Sequence, residues 1–149
     1  MMHAAVADEP RTTPPHPAWT AGPDGRVVDG SATPSDRNFA LFTHLSGLLV
    51  FLDFFTGVAA TLAALVLWLL GRDRSPFAED HTREALNFQL STWIWTLIGV
   101  VLFIPTLSIS LWLVLLVIVI LRLVGALMGA VAANRGELYR YPMTFRLLR

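Results

Sequence analysis

Residues 109–134 read ISLWLVLLVIVILRLVGALMGAVAAN, and the only charged side chain among them is Arg122. An apolar run of about 18 residues or more is long enough to cross the hydrocarbon layer of a bilayer as a helix. The whole chain is 15% charged and 54% hydrophobic, whereas a soluble domain has about 25% charged residues. The stretch therefore predicts a membrane-spanning helix that ends before Gly136, a residue typical of helix C-termini.

Two further apolar regions precede this helix. Residues 85–104 carry no charge, and a helix is predicted from about residue 79 or 80 to residue 104, where Pro105 stops it. Residues 39–70 contain only one charge, Asp53. As one helix they would measure about 48 Å, more than the hydrocarbon thickness of about 30 Å. We therefore predict two short helices, 36–52 and 57–70, joined by a tight turn at Gly57, with one kinked span as the alternative.

The first of these helices is expected to begin at Ser35 or Asp36, whose side chains suit an N-cap. Residues 1–36 before it contain repeated prolines and no apolar periodicity, so they predict a disordered tail. Residues 37–149 then form the membrane domain. The predicted fold is an all-α, polytopic helical membrane bundle of four helices, the first two short and hairpin-like.

Arginine placement predicts the orientation. Basic residues flank the central loop at residues 72–75 and follow the last helix, whereas the other two turns have none. Because positive charge stays on the cytoplasmic side, a multi-pass protein of the inner (plasma) membrane with a cytoplasmic C-terminus is expected. Its predicted partners are the bilayer and anionic headgroups. The arginines assigned to headgroups are Arg135, Arg140, Arg146 and Arg149. The formal net charge of zero argues against a nucleic-acid partner.

Arg122 shares one helical face with Gly125 and Gly129. A charge near the bilayer midplane is expected to face protein or water rather than lipid. It either lines a polar pathway or binds an anion, or it is paired, with Asp53 as the first candidate. The spacing Gly125-x-x-x-Gly129 favours close approach of another helix.

The third helix opens with a polar stripe that consists of Glu84, Asn87 and Ser91, with His81 one turn earlier. It predicts either a polar groove or proton site, or groups that cap the helix and hydrogen-bond with neighbouring helices. A metal site would need His44 as well as His81 and Glu84, and further ligands are lacking. The chain has no cysteine, which excludes thiolate metal sites. We predict no catalytic residue, metal or cofactor.

Three motifs carry a resemblance to a known family. They are His44-Leu-Ser-Gly47, His81-x-x-Glu84-Ala-Leu-Asn87-Phe-Gln89 and Asn134-x-Gly136-Glu137-x-Tyr139-Arg140-Tyr141-Pro142. The chain resembles small bacterial membrane proteins of unknown function that are distantly similar to the twenty-kilodalton subunit of the chloroplast inner-envelope translocon. The resemblance implies a multi-helix membrane domain and no activity. The alternation of arginine and tyrosine in the last motif itself suits the headgroup layer.

The function predicted from these observations is non-enzymatic. The chain is expected to pack with itself or with a membrane-protein partner, as a translocon- or pore-like accessory. The alternative is a small transporter or channel that uses Arg122 and the polar stripe of Glu84 and Asn87. A membrane enzyme is a third class, and it would require His44, His81 and Glu84 to converge.

Overall fold

The computed structural model describes residues 19–22, 25–52, 57–103 and 109–148. Four α-helices follow two short strands, which confirms a mainly helical fold with four helices. The strands are β1 (Trp19–Ala21) and β2 (Val27–Asp29); the helices are α1 (Pro34–Leu45), α2 (Val58–Gly71), α3 (Pro76–Phe103) and α4 (Ile109–Arg135), and a 3-10 helix (Ser46–Phe51) continues α1. The predicted turn residue Asp53 lies outside the described residues.

The start of α1 differs from the prediction. Its N-cap is Thr33, not Ser35 or Asp36. Thr33 accepts a hydrogen bond from the backbone N–H of Asp36, and the Asp36 carboxylate accepts one from the backbone N–H of Thr33. This reciprocal arrangement is a capping box, and Pro34 occupies the first helical turn, where its missing N–H has no consequence.

The start of α3 is also earlier than predicted, at Pro76 rather than at residue 79 or 80. The Ser75 hydroxyl accepts a hydrogen bond from the backbone N–H of Ala78, so Ser75 caps the helix. Pro76 prevents α2 from continuing, but it is also a favoured first residue of the next helix. The last helix, α4, stops where Gly136 adopts a φ of +74°, as expected for a helix C-terminus.

The disordered tail predicted for residues 1–36 is too long. β1 and β2 pair in antiparallel register, with Trp19 opposite Asp29. Asp29 is fully buried, and its carboxylate accepts hydrogen bonds from Ser31 and from the indole of Trp19. Sequence patterning missed this hairpin because three-residue strands are too short to show periodicity.

One end of the bundle gathers the start of α1, the loop between α2 and α3, and the end of α4. Arg74 in the loop forms an ion pair with Asp36 of α1 at 3.2 Å. Arg37 of α1 lies against Gly136, just after α4. A small apolar core beneath them consists of Ala32, Ala40, Phe77 and Ala133. The four helices therefore run alternately away from this end, which we call the polar end, and back toward it.

Farther from the polar end, the helices expose large apolar side chains. Leu97 and Val101 of α3 are 64% and 65% exposed, and Leu116 of α4 is 56% exposed. Helices α3 and α4 contain the two candidate spans, Pro76–Leu102 and Trp112–Arg135, whereas α2 has only 14 residues. An exposed apolar belt of this kind is typical of a protein surface that contacts lipid or a partner.

Candidate functional site

Three polar rings meet in the interior of the polar end. The His44 Nδ1 atom of α1 lies 2.8 Å from the Tyr141 hydroxyl, and its Nε2 atom lies 2.7 Å from His81 Nδ1 of α3. His44 and His81 are fully buried and Tyr141 is 5% exposed. These hydrogen bonds join α1, α3 and the segment after α4. We call this group the ring triad.

Two glycines of α4 make room for the ring triad. A Cβ atom on Gly125 would lie 2.6 Å from Tyr141 Cε1, and one on Gly129 would lie 2.5 Å from His44 Nδ1. Both distances are far shorter than van der Waals contact. The spacing Gly125-x-x-x-Gly129 was predicted to admit another helix; what the structure places directly on the two glycines is two side-chain rings, one from α1 and one from the C-terminal segment.

The polar stripe of α3 binds the backbone of residues 141–148, which we call the C-terminal segment. The Asn87 amide donates to the backbone carbonyl of Leu148 at 3.1 Å and accepts from its N–H at 2.8 Å. The Ser91 hydroxyl accepts from the N–H of Phe145 at 2.7 Å. A Glu84 oxygen accepts from the N–H of Tyr141 at 2.8 Å. The predicted hydrogen bonds to neighbouring helices are therefore made to this extended segment instead.

The C-terminal segment folds back on itself along α3. It turns at Pro142 and Met143, and Met143 has a left-handed φ of +58°. The indole of Trp95 donates to the carbonyl of Met143 at 3.1 Å. The α3 side chains bind backbone groups at successive depths, and these bonds satisfy several N–H and C=O groups of an irregular segment that lies beside the helix. We call this arrangement the C-terminal clasp.

Charged groups close the clasp at its outer edge. Arg140 forms a two-point ion pair with Asp80, at 2.6 and 2.7 Å. These hydrogen bonds raise the pKa of Arg140. Arg146 lies 3.6 Å from Glu84. The burial of Tyr141 raises the pKa of its phenol well above the usual value, and Tyr139 and Glu84 add to this shift.

Tyr141, which the sequence suited to contact with headgroups, has its side chain buried inside the protein instead. Its ring stacks on Phe88 of α3 at 4.1 Å between centroids and occupies the space over Gly125. Tyr139 is half-buried and contacts the His44 ring edge-on, with centroids 5.7 Å apart. A tyrosine with a hydrogen-bond partner for its hydroxyl can be buried, and His44 supplies that partner.

Arg122 is 4% exposed and lies midway along α4. Its guanidinium donates to the Thr92 hydroxyl at 2.6 Å and lies close to Gly57, where a Cβ atom would meet it at 2.6 Å. The guanidinium therefore faces protein, as predicted. The predicted pairing of Arg122 with Asp53 lies outside the described residues.

A cavity of about 790 Å³ lies between α3 and α4 next to Arg122. Most of the lining residues that the structure describes are apolar, and the polar ones include Arg122, Thr92 and Thr96. The lining residues are Val50, Thr92, Trp93, Thr96, Trp112, Leu115, Leu116, Ile118, Val119 and Arg122.

The other predicted site residues lie apart from this cavity. Gln89 is 3% exposed, and its amide nitrogen would lie 3.2 Å from a Cβ atom on Gly47. Asn134 is exposed near the end of α4, and Pro142 is exposed at the turn of the C-terminal segment. Among the residues that the structure describes, no group of three or more histidines or carboxylates is placed to hold a metal ion.

Comparison with protein families matches residues 35–148 to MamF_MmsF, described as the magnetosome magnetite crystal formation protein family. That range includes all four helices and the C-terminal clasp. The chain belongs to the magnetosome magnetite crystal formation protein family. Family membership and the two long apolar helices indicate a membrane-associated bacterial protein. No curated protein and no solved structure matches, so these comparisons give no support to the similarity with the chloroplast translocon subunit.

In this magnetosome-family chain, sequence reasoning missed the interior contacts of three residues, although it did predict a turn at Gly57. Thr92 accepts from Arg122, Trp95 holds the turn of the C-terminal segment, and Gly57 packs against the guanidinium. Trp95 could have been found, because it continues the stripe of Glu84, Asn87 and Ser91 at helical spacing. Thr92 carries no such signal, since threonine is common in apolar helices.

Proposed function

We propose that the chain is a non-enzymatic accessory protein of the membrane in which magnetite crystals form. The observation that carries this proposal is the family match over residues 35–148 together with the candidate spans Pro76–Leu102 and Trp112–Arg135. In this proposal the chain acts as an embedded component that packs with itself or with a membrane-protein partner. The exposed apolar belt on α2, α3 and α4 supports such packing.

The ion pairs of the polar end support a multi-pass arrangement in which the start of α1 and the residues after α4 lie on one side. Arg74 bonds to Asp36, and Arg140 bonds to Asp80, so the start of α1, the loop before α3 and the residues after α4 lie together. This arrangement follows if α1 and the 3-10 helix enter, α2 returns, α3 crosses and α4 crosses back. By the positive-inside rule we assign the polar end to the cytoplasmic side.

The carboxylates of the described residues support a structural rather than a catalytic role. Asp29 accepts hydrogen bonds from Ser31 and Trp19, and every other described carboxylate forms an ion pair with an arginine. Four of these ion pairs join segments of the polar end that are distant along the chain. Arg72 and Arg146 keep side-chain exposures of 52% and 54%, and we propose that they contact anionic headgroups.

Complementation tests this proposal. In a magnetite-forming bacterium whose own family member has been deleted, expression of this chain is expected to restore crystal size, measured by electron microscopy. A variant with Asn87→Ala, which weakens the C-terminal clasp, is expected to restore it less well than Asn134→Ala, which changes an exposed residue. Crystals that stay unchanged although the wild-type chain reaches the membrane would contradict the proposal.

A small transporter or channel is the second candidate, and one observation favours it. The cavity beside Arg122 reaches a buried charge between two candidate spans. The chain has no natural cysteine, so Val119→Cys would place a unique thiol in the cavity wall. Fast reaction of this thiol with a membrane-impermeant reagent would support a water-filled pathway, and protection from the reagent would oppose it.

A further inference from the structure

The surroundings of α3 change at one level along the helix. From residue 81 to residue 92 every residue except Arg83 and Leu90 is buried. Because a stretch of this length covers every face of a helix, protein surrounds α3 here on all sides. From residue 97 to residue 102 every residue except Gly99 is exposed. Helix α3 therefore leaves the rest of the bundle shortly after residue 92.

Two other elements reverse their direction at this same level. Gly57, the N-cap of α2, lies against the Arg122 guanidinium, which donates to Thr92 at 2.6 Å. The C-terminal segment turns at Met143, whose carbonyl accepts from Trp95 at 3.1 Å. Both turn residues have a left-handed φ, +80° at Gly57 and +58° at Met143. Of the described chain, only α3 and α4 continue beyond this level, which we call the step.

The step lies near the middle of a bilayer. Helix α2 has 14 residues, which measure about 21 Å, and the rise along α4 from Arg135 to Arg122 is about 20 Å. The hydrocarbon layer is about 30 Å thick. With the polar end at one headgroup layer, the step is therefore inside the hydrocarbon and short of the opposite headgroups. Helix α4 continues for about another 15 Å from Arg122 to Trp112.

The protein consequently takes up more area in one leaflet than in the other. A helix about 10 Å in diameter occupies about 80 Å² of membrane area. The leaflet on the side of the polar end contains α1, α2, α3, α4 and the C-terminal clasp, whereas the opposite leaflet contains only α3 and α4 among the described elements. The protein is thus about twice as wide on the side of the polar end.

We propose that the chain acts as a wedge that prefers, and helps to form, membrane that is convex on the side of the polar end. A body inserted mainly into one leaflet fits best where bending stretches that leaflet, so its binding depends on curvature. The partner in this proposal is the lipid of the bilayer itself. The inference rests on the proposed membrane location and adds to it a preference for membrane shape.

The depth of the step is tested first, in liposomes that contain the full chain. The chain has no natural cysteine, so Val58→Cys and Leu70→Cys each provide one site for a fluorescent label. Val58 begins α2 at the step and is 46% exposed, and Leu70 lies near the polar end and is 63% exposed. Lipids brominated near the ends of their acyl chains should quench the label at residue 58 most strongly. Lipids with a quencher on the headgroup should quench the label at residue 70.

The other outcomes of this depth measurement separate the two proposals. If headgroup quenchers acted equally on both labels, α2 would cross the whole bilayer. That result would overturn the wedge and leave the multi-pass membrane protein intact. If no lipid quencher acted on either label, the chain would not be embedded, and the proposed function would fail together with the wedge.

Sorting between a giant vesicle and a membrane tube pulled from it tests the preference for shape. Asp73→Cys, at a carboxylate with 86% side-chain exposure beside the polar end, is labelled with a dye that cannot cross the membrane. Dye added to intact vesicles marks only molecules whose polar end faces outward. The tube is convex on its outside, so these molecules should be enriched in it at least about twofold relative to lipid, equivalent to about 0.4 kcal/mol.

Molecules of the opposite orientation provide the matched control. They are labelled before reconstitution, and an impermeant quencher then removes the signal of outward-facing labels. The inward-facing molecules should be depleted from the tube, because the leaflet at their polar end is compressed there. Equal densities in tube and vesicle for both orientations would overturn the wedge. Enrichment of both orientations would also overturn it, since the chain would then follow loosened lipid packing and not the direction of bending.

Discussion

Near its start, α3 uses Glu84, Asn87 and Ser91 to bind the backbone of the C-terminal segment, whereas toward its end it turns Leu97 and Val101 outward. The two halves of one helix thus have opposite surroundings. In the first half, hydrogen bonds with fixed directions select one arrangement of the chain. In the second half, apolar contact with lipid or a partner sets no such direction. We therefore expect substitutions in the polar half to affect folding most.

The largest effect is expected for Gly129→Leu in α4, where this glycine faces the ring triad near the polar end. The new side chain would overlap the His44 ring, since even a Cβ atom lies 2.5 Å from Nδ1. Overpacking typically lowers stability by about 1–3 kcal/mol, and disruption of the ring triad adds to this. In detergent, a thermal scan should show that most of the variant is unfolded before heating begins. Met128→Leu, at a 43% exposed neighbour, serves as the control.

If Gly129→Leu unfolded at the same temperature as Met128→Leu, the ring of His44 would not be packed on Gly129. Close packing would then not distinguish the polar end from the exposed apolar parts of the helices.

The next effect concerns the clasp. Asn87→Ala removes both hydrogen bonds to the backbone of Leu148. Leaving a buried donor or acceptor unsatisfied costs about 1–3 kcal/mol. A local penalty of about 2 kcal/mol raises the open population of the C-terminal segment about thirtyfold. Trimming by carboxypeptidase, followed by mass spectrometry, should accelerate accordingly.

Asn134→Ala is the matched control, because it makes the same change at an exposed asparagine. Equal trimming of the two variants would show that α3 does not hold the end of the chain.

The apolar parts of the helices and the polar end also differ in how well the sequence predicts them. Apolar stretches with at most one charge predicted α4 and most of α3, because the hydrophobic requirement of a bilayer is visible residue by residue. Gly136 likewise marked the end of α4. The polar stripe of Glu84, Asn87 and Ser91 was visible too, but its partner was not. An extended segment bound through its backbone leaves no pattern in its side chains, so the sequence predicts only headgroup contacts for the arginines after α4.

Helices α1 and α3 start earlier than predicted, for a related reason. Thr33 and Ser75 cap α1 and α3, each directly before a proline. A proline prevents the preceding helix from continuing, but the first turn of the next helix accepts it. The sequence brought His44 and His81 together only as members of a hypothetical metal or enzyme site, and it gave no sign that Tyr141 joins them, since the three rings meet through tertiary packing.

A smaller effect is expected for Tyr141→Phe, which removes the hydroxyl that lies 2.8 Å from His44. The loss of one buried hydrogen bond lowers stability by about 1–2 kcal/mol. The pH dependence should change as well. Burial raises the pKa of Tyr141 above its usual value, so the folded chain keeps this proton longer than the unfolded chain does. Wild-type stability therefore falls as pH rises above about 10.

Chemical denaturation at pH 7 and at pH values above 10 measures both effects of Tyr141→Phe. The variant should be less stable at neutral pH and lose less stability on alkalinisation. Tyr139→Phe is the comparison, because Tyr139 is half-buried and its hydroxyl has no hydrogen bond within the described part of the chain. An identical alkaline decline in wild type and Tyr141→Phe would show that this phenol is not buried.

The smallest effect tests the outer edge of the clasp. Asp80→Asn breaks the two-point ion pair with Arg140, whose side chain is 43% exposed. Solvent screens such a pair, so a loss of at most about 1 kcal/mol is expected. Thermal unfolding at low and high salt should show the difference shrink as salt rises. Asp73→Asn, at a carboxylate with 86% side-chain exposure, should have no effect at either salt concentration. If Asp80→Asn lowered the unfolding temperature equally at both salt concentrations, the carboxylate would act as a buried hydrogen-bond acceptor. The directional hydrogen bonds of the polar half would then reach the surface of the bundle.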